Sequence, residues 1–408
     1  MMVDLKQCFR HWLGSPHIAK WFSPLRTIRT IVGSRRKITP LDRCQRILVI
    51  RPDEIGDVVL ASPFFSNLRK SAPAAKIAAI TNLTCKALLE HSPYIDEVYT
   101  LPFKPSVDPR DRATVVVSAL MLRWRRFAEG VDVVLLSRID ADWYNAELVA
   151  HLLAGRGAVL MNSAAFITWT ANPPESPGLA DARYEVKTPQ SDMLSNMEFL
   201  KWCGGPDDSG VELEFWSGSQ DKDFAKDWLA DGDAERPKLV FHPPSGRSVL
   251  KRWPVGRSRE FLKKLIEQTD FEVIVIGGDQ EGWVLDELAG VESSRVRLAF
   301  DTFSLPQLGE IIRQCGYFVG GDSGPMHVAA AVGAKVLGIF GYASETRFRP
   351  FSQNARTVSL QLPCTPDGQS SFEANCKSCI HSENRCMTEL SADRVLEEVV
   401  EFMRPVAR

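Results

Sequence analysis

Residues 46–60 read Arg46-Ile-Leu-Val-Ile-Arg-Pro-Asp-Glu-Ile-Gly-Asp-Val-Val-Leu60. The apolar run Ile47 to Ile50 has the length of a strand buried on both faces. Pro52 stops that strand, Gly56 permits a tight turn, and a helical pattern runs from about Asp57 to Lys70. A buried strand, a loop at its carboxyl end and a helix make the opening of a βαβ unit. Working outward, the same alternation recurs. Strands are expected at Ala75 to Thr81, Glu97 to Leu101, Val131 to Ser137 and Ala158 to Asn162, with helices near 83–90, 116–129, 143–154 and 190–202. The cluster Gly204-Gly-Pro-Asp-Asp-Ser-Gly210 marks a break. A second set follows Arg236-Pro237: strands Lys238 to His242, Phe271 to Gly277, Tyr317 to Gly321 and Val336 to Gly341, with helices near 256–268, 280–289, 304–314 and 325–333. The fold class is therefore α/β. The expected organisation is an N-terminal extension 1–45, a Rossmann-like domain 46–215, a linker 216–236, a second Rossmann-like domain 237–389 and a C-terminal helix 390–408 that straps back onto the first domain.

Composition agrees with two ordinary globular domains: 408 residues, 44% hydrophobic, 25% charged, net charge −2. So balanced a charge argues against a nucleic-acid binder, which would carry a strongly basic face. No apolar run reaches the roughly 20 residues that span a bilayer, and no signal peptide opens the chain, so the expected location is cytoplasmic. The balance is uneven, however. Residues 1–46 hold ten basic side chains against Asp4 and Asp42, interleaved with Ile18, Trp21, Phe22, Leu25, Ile28 and Val32 at helical spacing. Such a segment can lie on an anionic membrane surface, dock on the body of the protein itself, or form a partly disordered tail.

Four stretches can carry chemistry, each on a loop after a strand, where ligands bind in such folds. Asp57 is either a helix cap or a general base for an attacking hydroxyl. Gly320-Gly-Asp-Ser-Gly-Pro-Met-His327 feeds a strand into a helix whose N-terminus can face a phosphate, with Asp322 and Ser323 free to bond hydroxyls. His242-Pro-Pro-Ser-Gly-Arg-Ser-Val-Leu-Lys-Arg-Trp-Pro254 places Ser245, Gly246, Arg247, Lys251 and Arg252 in one loop suited to a diphosphate. Gly277-Gly-Asp-Gln-Glu281 offers Asp279 or Glu281 to ribose hydroxyls. Of nine cysteines, Cys364, Cys376, Cys379 and Cys386 crowd into an insert at 363–386; C-x-x-C with two further thiols could hold structural Zn or Fe, remain as thiols, or form a disulfide.

In this order, Gly56-Asp57-Val58-Val59-Leu60, Lys251-Arg252-Trp253-Pro254 and Asp322-Ser323-Gly324-Pro325-Met326-His327 resemble glycosyltransferase family 9, the ADP-heptose:lipopolysaccharide heptosyltransferases. The resemblance implies a GT-B architecture of two Rossmann-like domains, the first binding a lipid-anchored glycan acceptor and the second an ADP-heptose donor. It implies Asp57 as catalytic base and Lys251 on the donor diphosphate with Ser245, Gly246, Ser323 and Gly324. Asp322 and His327 would hold the sugar, Asp279 or Glu281 the ribose, and no catalytic cofactor would be needed. The rival readings are the same fold with another nucleotide-sugar donor, building capsule, O-chain or glycoprotein, a nucleotide-sugar epimerase, and a non-catalytic sugar-nucleotide binder.

Overall fold

The structure is a computed structural model. It describes residues 36–104, 108–138, 145–163, 179–187, 190–207, 211–244, 249–278, 281–288, 290–291, 293–365, 379–381 and 383–403. The segment 1–35, to which the membrane reading of the leader belongs, lies outside these, as do Ser245, Gly246, Asp279 and Cys376.

The chain divides into two compact units, the first comprising 1–54, 64–188 and 193–209, the second 55–63, 189–192 and 210–408. The first is built on β1 (Arg46–Arg51), β2 (Lys76–Thr81), β3 (Glu97–Thr100), β4 (Val133–Leu136), β5 (Ala158–Ser163) and β6 (Ala182–Glu185). Their order is β3-β2-β1-β4-β5-β6 and every pairing is parallel. Central strands bury both faces, so β1 and β4 can be apolar without alternation: Ile47, Leu48, Val49 and Ile50 are all within the core.

The second unit repeats the plan with β7 (Lys238–His242), β8 (Glu272–Gly277), β9 (Val296–Phe300), β10 (Tyr317–Gly321), β11 (Lys335–Ile339) and β12 (Ala355–Val358). The order β12-β11-β10-β7-β8-β9, again all parallel, is the same doubly wound arrangement. The strand order changes sense between β7 and β10, and the loops leaving these two parallel strands carry the third and second motifs.

Several expectations change. The edge strands β6, β9 and β12 had no apolar run to announce them, because each has solvent on one side and is only half-buried. The helix expected over Asp57 to Lys70 is two helices, Ile55–Leu60 and Ser62–Ser71, with Ala61 between them. Asp57 accordingly sits in the first turn of its helix rather than at the cap. Residues 219–230, read as part of a linker, form a helix that packs on helix Leu305–Cys315 within the second unit. The C-terminal helix also has a place in the second unit. Ala392–Phe402 lies against helix Val255–Gln268, and its buried Val395, Leu396 and Val399 join the core of the second unit, the strap to the first having been the expectation.

Candidate functional site

Within the second unit, helix Ile55–Leu60 packs against helix Gly324–Ala331. Two glycines make this approach possible. A Cβ on Gly56 would stand 2.7 Å from the His327 Cδ2, and a Cβ on Gly324 would stand 2.7 Å from the Ile55 Cβ, both closer than side-chain carbons pack. Asp57 is thereby brought into the electrostatic surroundings of His327 and Lys251.

Lys251 closes a short 3-10 turn after β7. Trp253 fixes that turn: its ring is buried, its backbone N–H donates to the Pro244 carbonyl at 3.0 Å, and its indole N–H donates to the Leu390 carbonyl at 2.9 Å. The Lys251 Nζ lies 2.6 Å from Asp322 Oδ2. Burial works against the ammonium, but Asp322, with smaller contributions from Tyr342 and Asp57, outweighs it and holds the lysine above its ordinary value. Lys251 is therefore charged at neutral pH. Its side chain is 30% exposed against 9% for Asp322, so the lysine is the less enclosed of the pair.

Asp322 follows β10. Gly320 and Gly321 end that strand without side chains because a Cβ at either would collide with the His242 carbonyl or Pro244, each 2.8 Å away. Ser323 then stands at the N-cap of helix Gly324–Ala331 in extended backbone but makes no side-chain cap bond. Its hydroxyl turns to the Gly321 carbonyl and to His242 Nδ1, each at 3.1 Å, so one proton serves both. The helix N-terminus is thus left with partial positive charge and without a side-chain cap.

His242, the last residue of β7, is the residue that the sequence reading quoted without giving it a role. Its Nε2 lies 3.1 Å from Glu281 Oε2, and that carboxylate also accepts the Gly278 N–H at 2.9 Å. A carboxylate can only accept here, so Nε2–H donates and, in the neutral ring, Nδ1 accepts from Ser323. One buried ring therefore ties the loop after β8 to the loop after β10. The signal was present as a polar residue ending an otherwise apolar strand, Leu239-Val-Phe-His242.

His327, in the first turn of the helix it shares with Gly324, is buried, and its Nδ1 has no hydrogen-bond partner among the described residues. Burial pushes its pKa down; Asp322 and Asp57 oppose that and Lys251 reinforces it. The ring is held neutral.

The structure thus gathers Asp57, Lys251, Asp322 and His327 into one group, and joins Ser323 to Glu281 through His242. For the cysteines, Cys379 Sγ points to the Glu383 carbonyl at 3.3 Å and Cys386 Sγ to Asn384 Oδ1 at 3.0 Å. Among the described residues no group of three or more His, Cys, Asp or Glu side chains could hold a metal.

Comparison with known proteins agrees with this geometry. Residues 207–377 match the model of glycosyltransferase family 9 (heptosyltransferase). Lipopolysaccharide heptosyltransferase 2 of Salmonella typhimurium is 26% identical over 338 residues, covering 77% of this chain and 88% of the relative. Among solved structures, a glycosyl transferase family 9 protein from Veillonella parvula covers 91% of this chain and 99% of its own at TM-score 0.69 and 17% identity. E. coli ADP-heptose lps heptosyltransferase II covers 88% and 98%, at TM-score 0.63 and 21% identity. Both establish the GT-B fold. The family match spans Lys251, Glu281, Asp322, Ser323, Gly324 and His327, so over this stretch the chain is similar to glycosyltransferase family 9.

Proposed function

We propose that this enzyme transfers a heptose from ADP-heptose to the core region of a lipopolysaccharide, inverting the anomeric centre in one displacement. The observation that carries the reading is the charged Lys251 ammonium held at 2.6 Å by Asp322, with Asp57 in the same field. A donor diphosphate offers that ammonium a more highly charged partner, and Asp322 is then released to the sugar hydroxyls. Asp57 takes the proton of the acceptor hydroxyl as it attacks. Negative charge growing on the departing ADP meets Lys251 and the N-terminus of helix Gly324–Ala331. Glu281 holds the ribose, positioned by His242, and His327, kept neutral, presents a ring to the sugar without repelling Lys251. No step calls for a metal.

The names of the relatives support the donor and the acceptor class. We assign the acceptor to the first Rossmann-like domain and the donor to the second, with Ser245 and Gly246 completing the diphosphate loop. Work at the cytoplasmic face of the inner membrane, on a lipid-anchored acceptor, follows from that reading. No helix among the described residues is long and apolar enough to cross a membrane. Cys364, Cys376, Cys379 and Cys386 remain candidates for a structural Zn or Fe.

The test is a transfer assay with ADP-heptose and lipopolysaccharides truncated at successive core sugars, read by product mass. A gain of one heptosyl unit on one truncation is expected. Stabilisation by a UDP- or GDP-sugar with none by ADP-heptose would reject the donor, and ADP-heptose turnover without acceptor would point to an epimerase or hydrolase.

A further inference from the structure

Helix Pro109–Arg126 of the first unit turns two apolar faces outward from its axis. One is ordinary: Val115 and Ala119 are buried in the core, with Val116 and Leu122 packed against it. The other carries Leu120, Met121 and Trp124 at 46%, 51% and 79% exposure, with half-buried Val117 completing an i, i+3, i+4, i+7 stripe. A helix with its core face satisfied gains nothing within the fold from a second stripe. Large apolar side chains contiguous on a surface mark a docking site.

Charge selects the occupant. From Lys104 to Glu129 the chain holds Lys104, Arg110, Arg112, Arg123, Arg125 and Arg126 against Asp108, Asp111 and Glu129. The three acids already face bases: Asp108 with Arg110 at 3.7 Å, Asp111 with Lys104 at 3.7 Å and Glu129 with Arg46 at 3.4 Å. Arg125 and Arg126 follow Trp124 directly and are exposed. Arg46 reaches the same helix end, donating to the Arg126 carbonyl at 3.3 Å, and lines a cleft of mixed charge there with Lys37, Arg156, Glu129 and Asp132. A second copy of this face would meet it with like charge, and so would the strongly basic segment 1–35 of the same chain. An anionic surface with an apolar interior satisfies both the stripe and the arginines, and Trp beside Arg is suited to its boundary.

We propose that the outward face of helix Pro109–Arg126 docks on an anionic phospholipid bilayer, through Leu120, Met121 and Trp124 in the headgroup region and Arg125 on the phosphates. This extends the reading of a lipid-anchored acceptor but uses neither donor nor acceptor. Its failure and the failure of the transferase reading are therefore separable.

The test is co-sedimentation of the full chain with vesicles of equimolar phosphatidylglycerol and phosphatidylcholine, against phosphatidylcholine alone. Binding to the anionic vesicles is expected, weakened roughly 10-fold by M121Q/W124Q and roughly 5-fold by R125Q. L298Q, which removes an exposed leucine of the second unit, should change nothing. Unaltered melting temperatures keep the variants comparable. The proposal is overturned if wild-type protein ignores anionic vesicles, or if M121Q/W124Q binds as wild type does. It is equally overturned if sedimentation velocity reveals a dimer that M121Q/W124Q dissolves.

Discussion

Two groups of charges stand at the carboxyl ends of strands, one in each unit, and they are built differently. In the first unit Asp53 is fully buried between Arg51 and Arg138. Arg51 also donates to Ser137 Oγ and Asn196 Oδ1, each at 3.1 Å, and the Asp53 carbonyl accepts from Asn82 and Cys85. In the second unit Lys251 meets Asp322 through one contact and keeps nearly a third of its side chain exposed. A buried carboxylate shared by two guanidinium groups holds a loop in place, whereas an ammonium with one carboxylate partner can exchange it. Charge at a strand end is therefore no sufficient mark of a binding site; what separates scaffold from site is how many of its bonds are already made.

Removing one charge from each group should separate them most sharply. Asp53→Ala leaves two buried guanidinium groups facing each other and should cost about 3–5 kcal/mol of stability. A chemical denaturation midpoint close to wild type would erase the contrast. Lys251→Met should do the reverse, lowering kcat/KM by roughly 10²–10³-fold while leaving the melting temperature close to wild type.

A smaller effect tests the packing that brings Asp57 into the field of Lys251 and His327. In an isolated helix, Gly→Ala would stabilise by up to ~1 kcal/mol. Gly56→Ala should instead destabilise by about 1–3 kcal/mol, because the new methyl meets the buried His327 ring at 2.7 Å. The sign of the change in an unfolding titration decides the matter.

The smallest effect is on pH. His327 binds a proton less readily when folded than its ordinary value of 6.5. As pH falls through 6.5 the unfolded chain takes up a proton that the folded ring refuses, so stability drops by at most about 1.4 kcal/mol per pH unit. Lys251, shifted upward, stays protonated in both states here and adds no slope. His327→Gln should flatten stability from about pH 7 downward, and an unchanged slope would show that the ring is not the source.

How much of this was readable from residues alone follows from burial. Runs such as Ile47 to Ile50 and Val273 to Ile276 show themselves because both faces of a central parallel strand are apolar. Ala182-Arg-Tyr-Glu185 and Ala355-Arg-Thr-Val358 do not, since edge strands need no such run. Asp57, Lys251 and Asp322 were visible through their loops. The nearness of Gly56 to His327 was not, because a glycine in a helix says nothing about which ring will fill its missing side chain. The link from Glu281 through His242 to Ser323 was hidden for a related reason: it joins three loops whose adjacency is set by the strand order β10-β7-β8.

The central claim is that Asp57 is the base for heptosyl transfer from a donor held by the second unit. Asp57→Asn keeps the size and removes the basicity of that side chain, so the decisive measurement pairs ADP release in the presence of ADP-heptose and a lipopolysaccharide acceptor with ADP affinity by calorimetry. The account predicts turnover lowered by roughly 10²–10⁴-fold at unchanged ADP affinity. Turnover equal to wild type, or loss of ADP binding in step with loss of rate, would contradict it.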